Sequence, residues 1–257
     1  MGPVTMVDLA ASEVLDSKVW PMVVQPVILT TPARQSEHVA ALLAAFSGAP
    51  GFAEPIVHCD EHGEGAAVAT RDAIVAAGVG GHHVLFLEDD VLVDHEAPAM
   101  IAAVEFPDGV AAISFCDMRE IAEFAPRGLY RCSALGSDGR GWWGNQALLL
   151  HRDTVAMCVR EDWFRPELED SLGIRVHKES YGDDGRNCSD IRLALLIHSH
   201  GGSRRDYAVH VPSLFRHVGH ESVCFPGRSM GERETRNWIA DRRRYGIDPA
   251  EGAGPVT

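Results

Sequence analysis

Nowhere in this 257-residue chain is there the run of roughly 18 consecutive apolar residues that a membrane-spanning helix needs, so no membrane span is expected. The first twenty residues lack the basic segment and long apolar stretch of a secretory leader, because Asp8, Glu13 and Asp16 break up their apolar positions. Six cysteines (Cys59, Cys116, Cys132, Cys158, Cys188 and Cys224) include no Cys-x-x-Cys pair, and four of them sit in or beside apolar runs, as reduced core thiols do. A reducing, cytoplasmic setting is the expectation. Positive charge is in deficit as well. The formal net charge of −14 weighs against a surface that binds nucleic acid or anionic lipid as a whole, while leaving room for a local basic patch. His198, His200, His210 and His220 have no Cys or acidic companions at a structural zinc spacing. There is no internal repeat.

What is present is an ordinary globular composition, 46% hydrophobic and 23% charged, in a chain long enough for one α/β domain with appended ends. Residues 1–21 read as an N-terminal arm or amphipathic helix, 22–225 as the domain, and 226–257 as a basic C-terminal helix and tail. Residues 23–29 form an apolar strand whose Pro26 suggests an edge or a bulge, unless the strand begins after it. Ser36 then caps a helix over 37–46, with Val39, Leu42, Leu43 and Phe46 on one face. A second short strand over 55–59 ends at Asp60, and an Ala-rich helix follows over 66–77. Further strands are expected at 84–87 and 110–115. Strands alternating with helices imply crossover connections and a mostly parallel, Rossmann-like sheet flanked by helices, in a single domain. Later come a Gly and Trp rich loop over 139–144, an apolar run over 147–150 and a polar stretch over 160–187. Ser189 is expected to cap a helix, and 207–211 to form a last strand.

The most informative segment is Val84-Leu85-Phe86-Leu87 running straight into Glu88, Asp89 and Asp90. A continuous apolar run bounded by Gly80 and Gly81 reads as a strand buried on both faces. Three carboxylates at its tip repel one another unless something positive sits there. Either they solvate a turn and the start of a helix, or they hold a divalent cation. Hard oxygen ligation suits Mg²⁺ or Mn²⁺, usually completed by water and substrate phosphates. In such sheets ligands bind beyond the carboxyl ends of the strands. That edge carries Thr30, Thr31, Asp60, the acidic cluster and Asp117.

Three pieces in this order resemble the GT-A fold glycosyltransferases that use nucleotide sugars. They are Leu87-Glu88-Asp89-Asp90-Val91 as the DxD-type metal motif, Gly144-Asn145-Gln146-Ala147 before an apolar strand, and Val211-Pro212-Ser213-Leu214-Phe215-Arg216-His217-Val218-Gly219. The last is similar to a Pro-Ser-Leu-x-Gln-His-x-Gly ending in that family, with Arg216 in place of Gln. The resemblance spans most of the chain and implies a GT-A type fold. It also implies transfer of a sugar, with inversion, from a nucleotide-sugar donor, UDP-sugar being the expected class, to a hydroxyl acceptor. A divalent ion would stabilise the charge that builds on the departing diphosphate.

By this resemblance Asp90 and His217 are the metal ligands, with Glu88 acting through water or on the ribose and Asp89 facing either way. Thr30, Thr31, Arg34 and Asp60 would meet the nucleotide. Trp142 and Trp143 would stack on a sugar or base unless they plug the underside of their loop, and Gly141 and Gly144 would let backbone approach the donor. Asp190 is the candidate general base, and Asp183 and Asp184 are its competitors. The acceptor is a glycan, a small molecule, or a hydroxymethylated base in DNA. For the DNA acceptor, the six arginines between Arg228 and Arg244, with Arg204, Arg205 and Arg216, would hold phosphates. A metal-dependent phosphoester or pyrophosphate hydrolase and a non-catalytic nucleotide-sugar binding module are the alternatives from other classes.

Overall fold

A strand that is apolar at every position must be covered on both faces, and the segment from Val84 to Leu87 is. The computed structural model describes residues 5–7, 23–32, 37–116, 121–122, 125–136, 144–218, 235 and 237–246. Its elements in chain order are β1 (Thr5–Val7), β2 (Val24–Thr30), α1 (Glu37–Phe46), β3 (Ile56–Cys59), α2 (Ala66–Gly78), β4 (His83–Glu88) and β5 (Val91–Val93). There follow α3 (Ala97–Ala102), β6 (Val110–Ser114), β7 (Gly128–Ser133), β8 (Ala147–Leu150), α4 (Arg152–Arg160), α5 (Pro166–Glu169) and α6 (Leu172–Tyr181). The last are α7 (Ser189–His200), β9 (Asp206–Val211), β10 (Phe215–His217) and α8 (Ile239–Arg244).

Eight strands make one sheet in the order β1-β7-β9-β6-β8-β4-β2-β3. Only β7 and β8 run against the common direction, so the sheet is mostly parallel, as expected. Side chains alternate between its faces. Val27, Val84, Phe86, Leu148 and Leu150 pack with α2, α4 and α7 on one side. Ile28, Leu85, Leu87, Ala147 and Leu149 pack with α1, α3 and Ile239 of α8 on the other. A one-residue slip of β4 would exchange the two sets. Truncating any one of these large buried side chains to alanine costs on the order of 2–5 kcal/mol, which fixes the register firmly.

Two expectations are corrected, at Pro26 and at the cap of α7. Pro26 lies on an interior strand, because β2 is paired by β3 and β4. Val24 exchanges bonds with Gly51 and Ala53 on the β3 side, and by alternation Pro26 turns its donorless nitrogen the same way. On that side β3 begins only at Ile56, opposite Val27, so no ladder bond is lost. Residues 5–7 of the N-terminal arm form a strand added to β7, and the rest of residues 1–22 lies outside the described residues. The polar stretch over 160–187 contains α5 and α6, whose buried residues are few: Leu168 on one, and Gly173, Ile174 and His177 on the other. The cap of α7 is Cys188, with Ser189 already inside the helix. The expected cap Ser36 lies outside the described residues.

Two imidazoles meet where β4 starts and β8 ends. His83 accepts the Arg152 N–H on Nδ1 at 3.3 Å, and His151 accepts the Asp153 N–H on Nδ1 at 3.1 Å, so both rings cap the start of α4. Their centroids are 4.8 Å apart, with Phe106 stacked on His83. Burial first, then the neighbouring ring and Arg152, pulls the His83 pKa from 6.5 down to about 4. Burial and the Arg204 and Arg152 charges outweigh Asp153 and pull His151 to about 4 as well. Burial does the same to His210 on β9. All three are neutral in the folded chain, whereas the unfolded chain takes up protons below pH 6.5, so the stability they contribute is complete above 6.5 and declines as pH falls toward 4. The thermal midpoint should therefore be level above pH 6.5 and drop between 6.5 and 4. His151→Asn, which keeps a neutral acceptor at the cap, should flatten part of that drop. A midpoint insensitive to pH over this window in the wild-type chain would refute the assignment.

Candidate active site

From β2 the chain crosses to β3 on one side, then returns to β4 on the other, so the order of strands reverses at β2. The carboxyl ends of β2 and β4 thus flank a topological switch point, where a crevice opens for ligands. Across it the Thr30 hydroxyl at the end of β2 donates to Asp89 Oδ2 at 2.6 Å. Asp89 and Asp90 form the tight turn from β4 into β5, and the turn sends their side chains different ways. Asp89 faces Thr30, and Asp90 faces His217.

The partner of Asp90 comes from far along the chain. β5 pairs antiparallel with β10 in a separate two-stranded ribbon, with Val91 opposite His217. The Val218 N–H donates to the Asp90 carbonyl at 2.9 Å. As a result Asp90 Oδ2 and His217 Nε2 stand 3.2 Å apart, with 6% and 5% of the two residues exposed. Two neighbouring ligands on an octahedral ion with bonds of about 2.1 Å are about 3.0 Å apart. At 3.2 Å the two make a direct ion-pair contact, and their O and N donors also lie near the spacing of two cis positions on Mg²⁺ or Mn²⁺. No group of three or more His, Cys, Asp or Glu side chains forms a fuller ligand set among the described residues. Substrate oxygens and water would have to supply the other positions.

Asp190 stands on the same rim, in the first turn of α7. Its Oδ2 accepts the Gly144 N–H at 3.0 Å and its Oδ1 the Ile191 N–H at 2.8 Å, which fixes the carboxylate against the loop preceding β8. Gly144 has φ 93°, a conformation that suits glycine and few other residues. Because β8 is reversed, its start lies at the carboxyl edge of the parallel strands, and Glu88 N–H donates to the Gln146 carbonyl there at 3.0 Å. Gln146 belongs to the Gly144-Asn145-Gln146-Ala147 motif, which gave it no role of its own. It is 7% exposed, and its Oε1 finds no donor among the described residues.

The other expected residues divide. Asp60 follows β3 and spends its Oδ1 on the N–H groups of Gly63 and Glu64 at 2.9 and 3.3 Å, closing the loop into α2. Its own N–H donates to the Thr30 carbonyl, which keeps it beside the crevice. Thr31 adjoins Thr30, and its hydroxyl has no partner among the described residues. Arg34, Asp117, Gly141, Trp142, Trp143 and Gly219 lie outside the described residues. Asp183 and Asp184 are engaged in their own turn. Asp183 accepts from Gly185 N–H and pairs with His177, while Asp184 holds Arg186 through both backbone and side chain.

Of the arginines expected to grip phosphate, Arg228, Arg233 and Arg236 lie outside the described residues, and several of the others have partners within the fold. Arg242 is 2% exposed and donates to the Ala125 carbonyl and to Asn237 Oδ1. Arg243 makes two 3.1 Å hydrogen bonds to the Asp94 carboxylate. Arg204 bonds the carbonyls of Pro107 and Val110, Arg205 that of Gly202, and Arg216 lies over the Trp238 ring. A cleft of about 390 Å³ is lined by Glu64, by α2, by the loops carrying Phe164 and Asp184, and by Arg192 of α7. On its lining Arg192, 1% exposed, bonds Glu169 at 2.6 Å and the Trp163 and Gly185 carbonyls. Burial alone would raise the Glu169 carboxyl, but hydrogen bonds from Arg192 and Lys178 outweigh it and hold the group below its ordinary range. Comparison with protein-family models and with curated proteins gave no match.

The Thr30 to Asp89 bond offers a direct measurement. Thr30→Val keeps the shape and removes a donor to a buried carboxylate, a bond worth about 1.5–3 kcal/mol. Urea unfolding should register a loss of that order with an unchanged slope. A wild-type midpoint would mean that the bond contributes nothing to stability.

Proposed function

We propose that the chain is a metal-dependent glycosyltransferase of the GT-A type. In this reading it moves a sugar from a nucleotide-sugar donor, UDP-sugar being the expected class, to a hydroxyl acceptor with inversion. The observation that carries the reading is the meeting of Asp90 and His217 at 3.2 Å on the rim that also holds Asp190. Asp90 and His217 belong to the first and third sequence motifs and Asp190 is the separate candidate for the base, and they come from the end of β4, from β10 and from the start of α7.

The division of labour follows from chemistry. Asp90 and His217 would hold Mn²⁺ or Mg²⁺, whose charge, when bound, would offset that developing on the departing diphosphate. Thr30 fixes Asp89 at the switch point, next to where a nucleotide enters. Asp190 would take the proton of the acceptor hydroxyl as its oxygen attacks the anomeric carbon. The Gly144 and Ile191 amides hold the Asp190 carboxylate in one orientation, so little reorganisation is needed as the proton arrives. The commitment of Arg242 and Arg243 to internal partners favours a saccharide or small-molecule acceptor over a DNA duplex gripped by the C-terminal helix.

The deciding assay follows free nucleotide released from a panel of nucleotide sugars, with Mn²⁺ or chelator, in the presence and absence of acceptor. Release that needs both metal and acceptor is expected. Release with water alone would indicate a hydrolase, and binding without release a binding module. Asp90→Ala should abolish metal-dependent nucleotide binding, and full activity in excess chelator would overturn the metal assignment. Asp190→Asn should leave donor affinity intact and lower turnover by roughly a hundredfold or more. Unchanged turnover in that variant would remove Asp190 from its role.

A further inference from the structure

The ribbon that brings Asp90 to His217 is made of two three-residue strands. A lone two-stranded ribbon of this length has too little pairing to hold itself. On one side it leans on the sheet, where Leu214 N–H and Phe215 N–H donate to the Phe115 carbonyl at 2.9 and 3.3 Å. On the other side it is held by a segment that the sequence places beyond the domain. Ser213 N–H donates to the Asn237 carbonyl at 2.9 Å, Ile239 N–H returns to the Ser213 carbonyl at 3.0 Å, and the His217 N–H donates to the Thr235 hydroxyl oxygen at 3.0 Å.

The same segment fastens the other strand. Asp94, directly after β5, is 6% exposed, and its N–H donates to the Leu214 carbonyl at 3.0 Å. Its carboxylate takes both arms of the Arg243 guanidinium, and Arg243 also reaches Glu96 Oε2 at 2.7 Å. A forked, two-bond ion pair fixes direction as well as distance, which a lysine cannot do. Asn237 anchors the segment in turn. Its φ of 57° is one that asparagine tolerates, and its side chain bonds Ala125 N–H and the Ala122 carbonyl at 3.0 Å each.

A metal-binding histidine is ordinarily oriented by a hydrogen bond at its second ring nitrogen. His217 Nδ1 has no such partner among the described residues. The backbone that carries this ring is fixed by the Thr235 hydroxyl and by the pairing of β10 with β5.

We propose that Thr235 and residues 237–243 form a clasp that positions the Asp90 and His217 pair, with Arg243 as its principal positioning residue. The inference rests on the metal assignment made above. It turns the basic C-terminal helix from a surface for an anionic partner into a part of the metal site.

The test uses the full chain and two readouts: Mn²⁺ affinity by calorimetry with UDP present, at a temperature well below unfolding, and amide exchange of β5 and β10 without metal. Arg243→Ala should weaken Mn²⁺ binding by about tenfold or more, the usual cost of removing support behind a ligand. It should also speed exchange in β5 and β10 relative to β4 and β8. Arg243→Lys, which retains charge and folding but not the fork, should fall between this variant and the wild type. Arg244→Ala, on the neighbouring residue that lies over Tyr245, should change neither readout. Wild-type Mn²⁺ affinity and exchange in both Arg243 variants would overturn the clasp. A wild-type chain that binds no Mn²⁺, with ribbon exchange still accelerated in the Arg243 variants, would overturn the metal reading and leave the clasp standing as a mechanical element.

Discussion

Carboxylates at the tip of a fully apolar strand impose the constraint on which the rest of this molecule depends. Glu88, Asp89 and Asp90 leave the sheet where it is covered on both faces, and Asp89 and Asp90 are almost wholly withdrawn from solvent. Each needs a specific polar neighbour, because a buried charge without one costs several kcal/mol. Asp89 turns to a hydroxyl on the adjacent strand, and Asp90 to an imidazole brought from the other end of the chain. Asp94, a few residues on, takes a guanidinium from α8. The connections that satisfy these three groups also bring β2, β10 and α8 to one place.

The parts of the fold that sequence made legible are those whose burial writes a period into the chain. The strands at 24–30 and 83–88 and the helices at 37–46 and 66–78 were each readable from apolar spacing, and the structure places them within one or two residues of expectation. What escaped reading has short-range reasons. α5 and α6 bury few apolar side chains, so charge masks their periodicity. β5 and β10 are three residues each and exist because they pair with one another, a fact no local window contains. Pro26 misled because a rule about edges was applied to a strand whose neighbour starts one residue later.

The candidate site divides along the same line. Motif order singled out Asp90 and His217, and the expected helix start at 189 singled out Asp190. Their mutual placement, and the choice between Asp89 and Asp90, depended on a turn and a long-range pairing. The arginines went the other way. Six of them near the end of an acidic chain read as a surface charge, yet Arg242 is interior and Arg243 is bonded to a buried carboxylate. Composition counts charges without saying which ones water can reach.

The reversed strand β8 lies between β4 and β6 and pairs with both. Until it is made, those two strands have no ladder joining them, and each presents a row of unpaired amides and carbonyls. A ribosome that has delivered residues 1–140 has made neither β8 nor β9, and has therefore produced β4-β2-β3, β1-β7 and an unpaired β6 as separate pieces with open edges, not a smaller version of the protein. Closing them requires contacts spanning some sixty residues, from Val84 to Leu150, and such distant pairings form late. During synthesis the nascent chain thus carries exposed strand edges for longer than its modest size suggests, and it should be during this interval that the polypeptide most needs a chaperone.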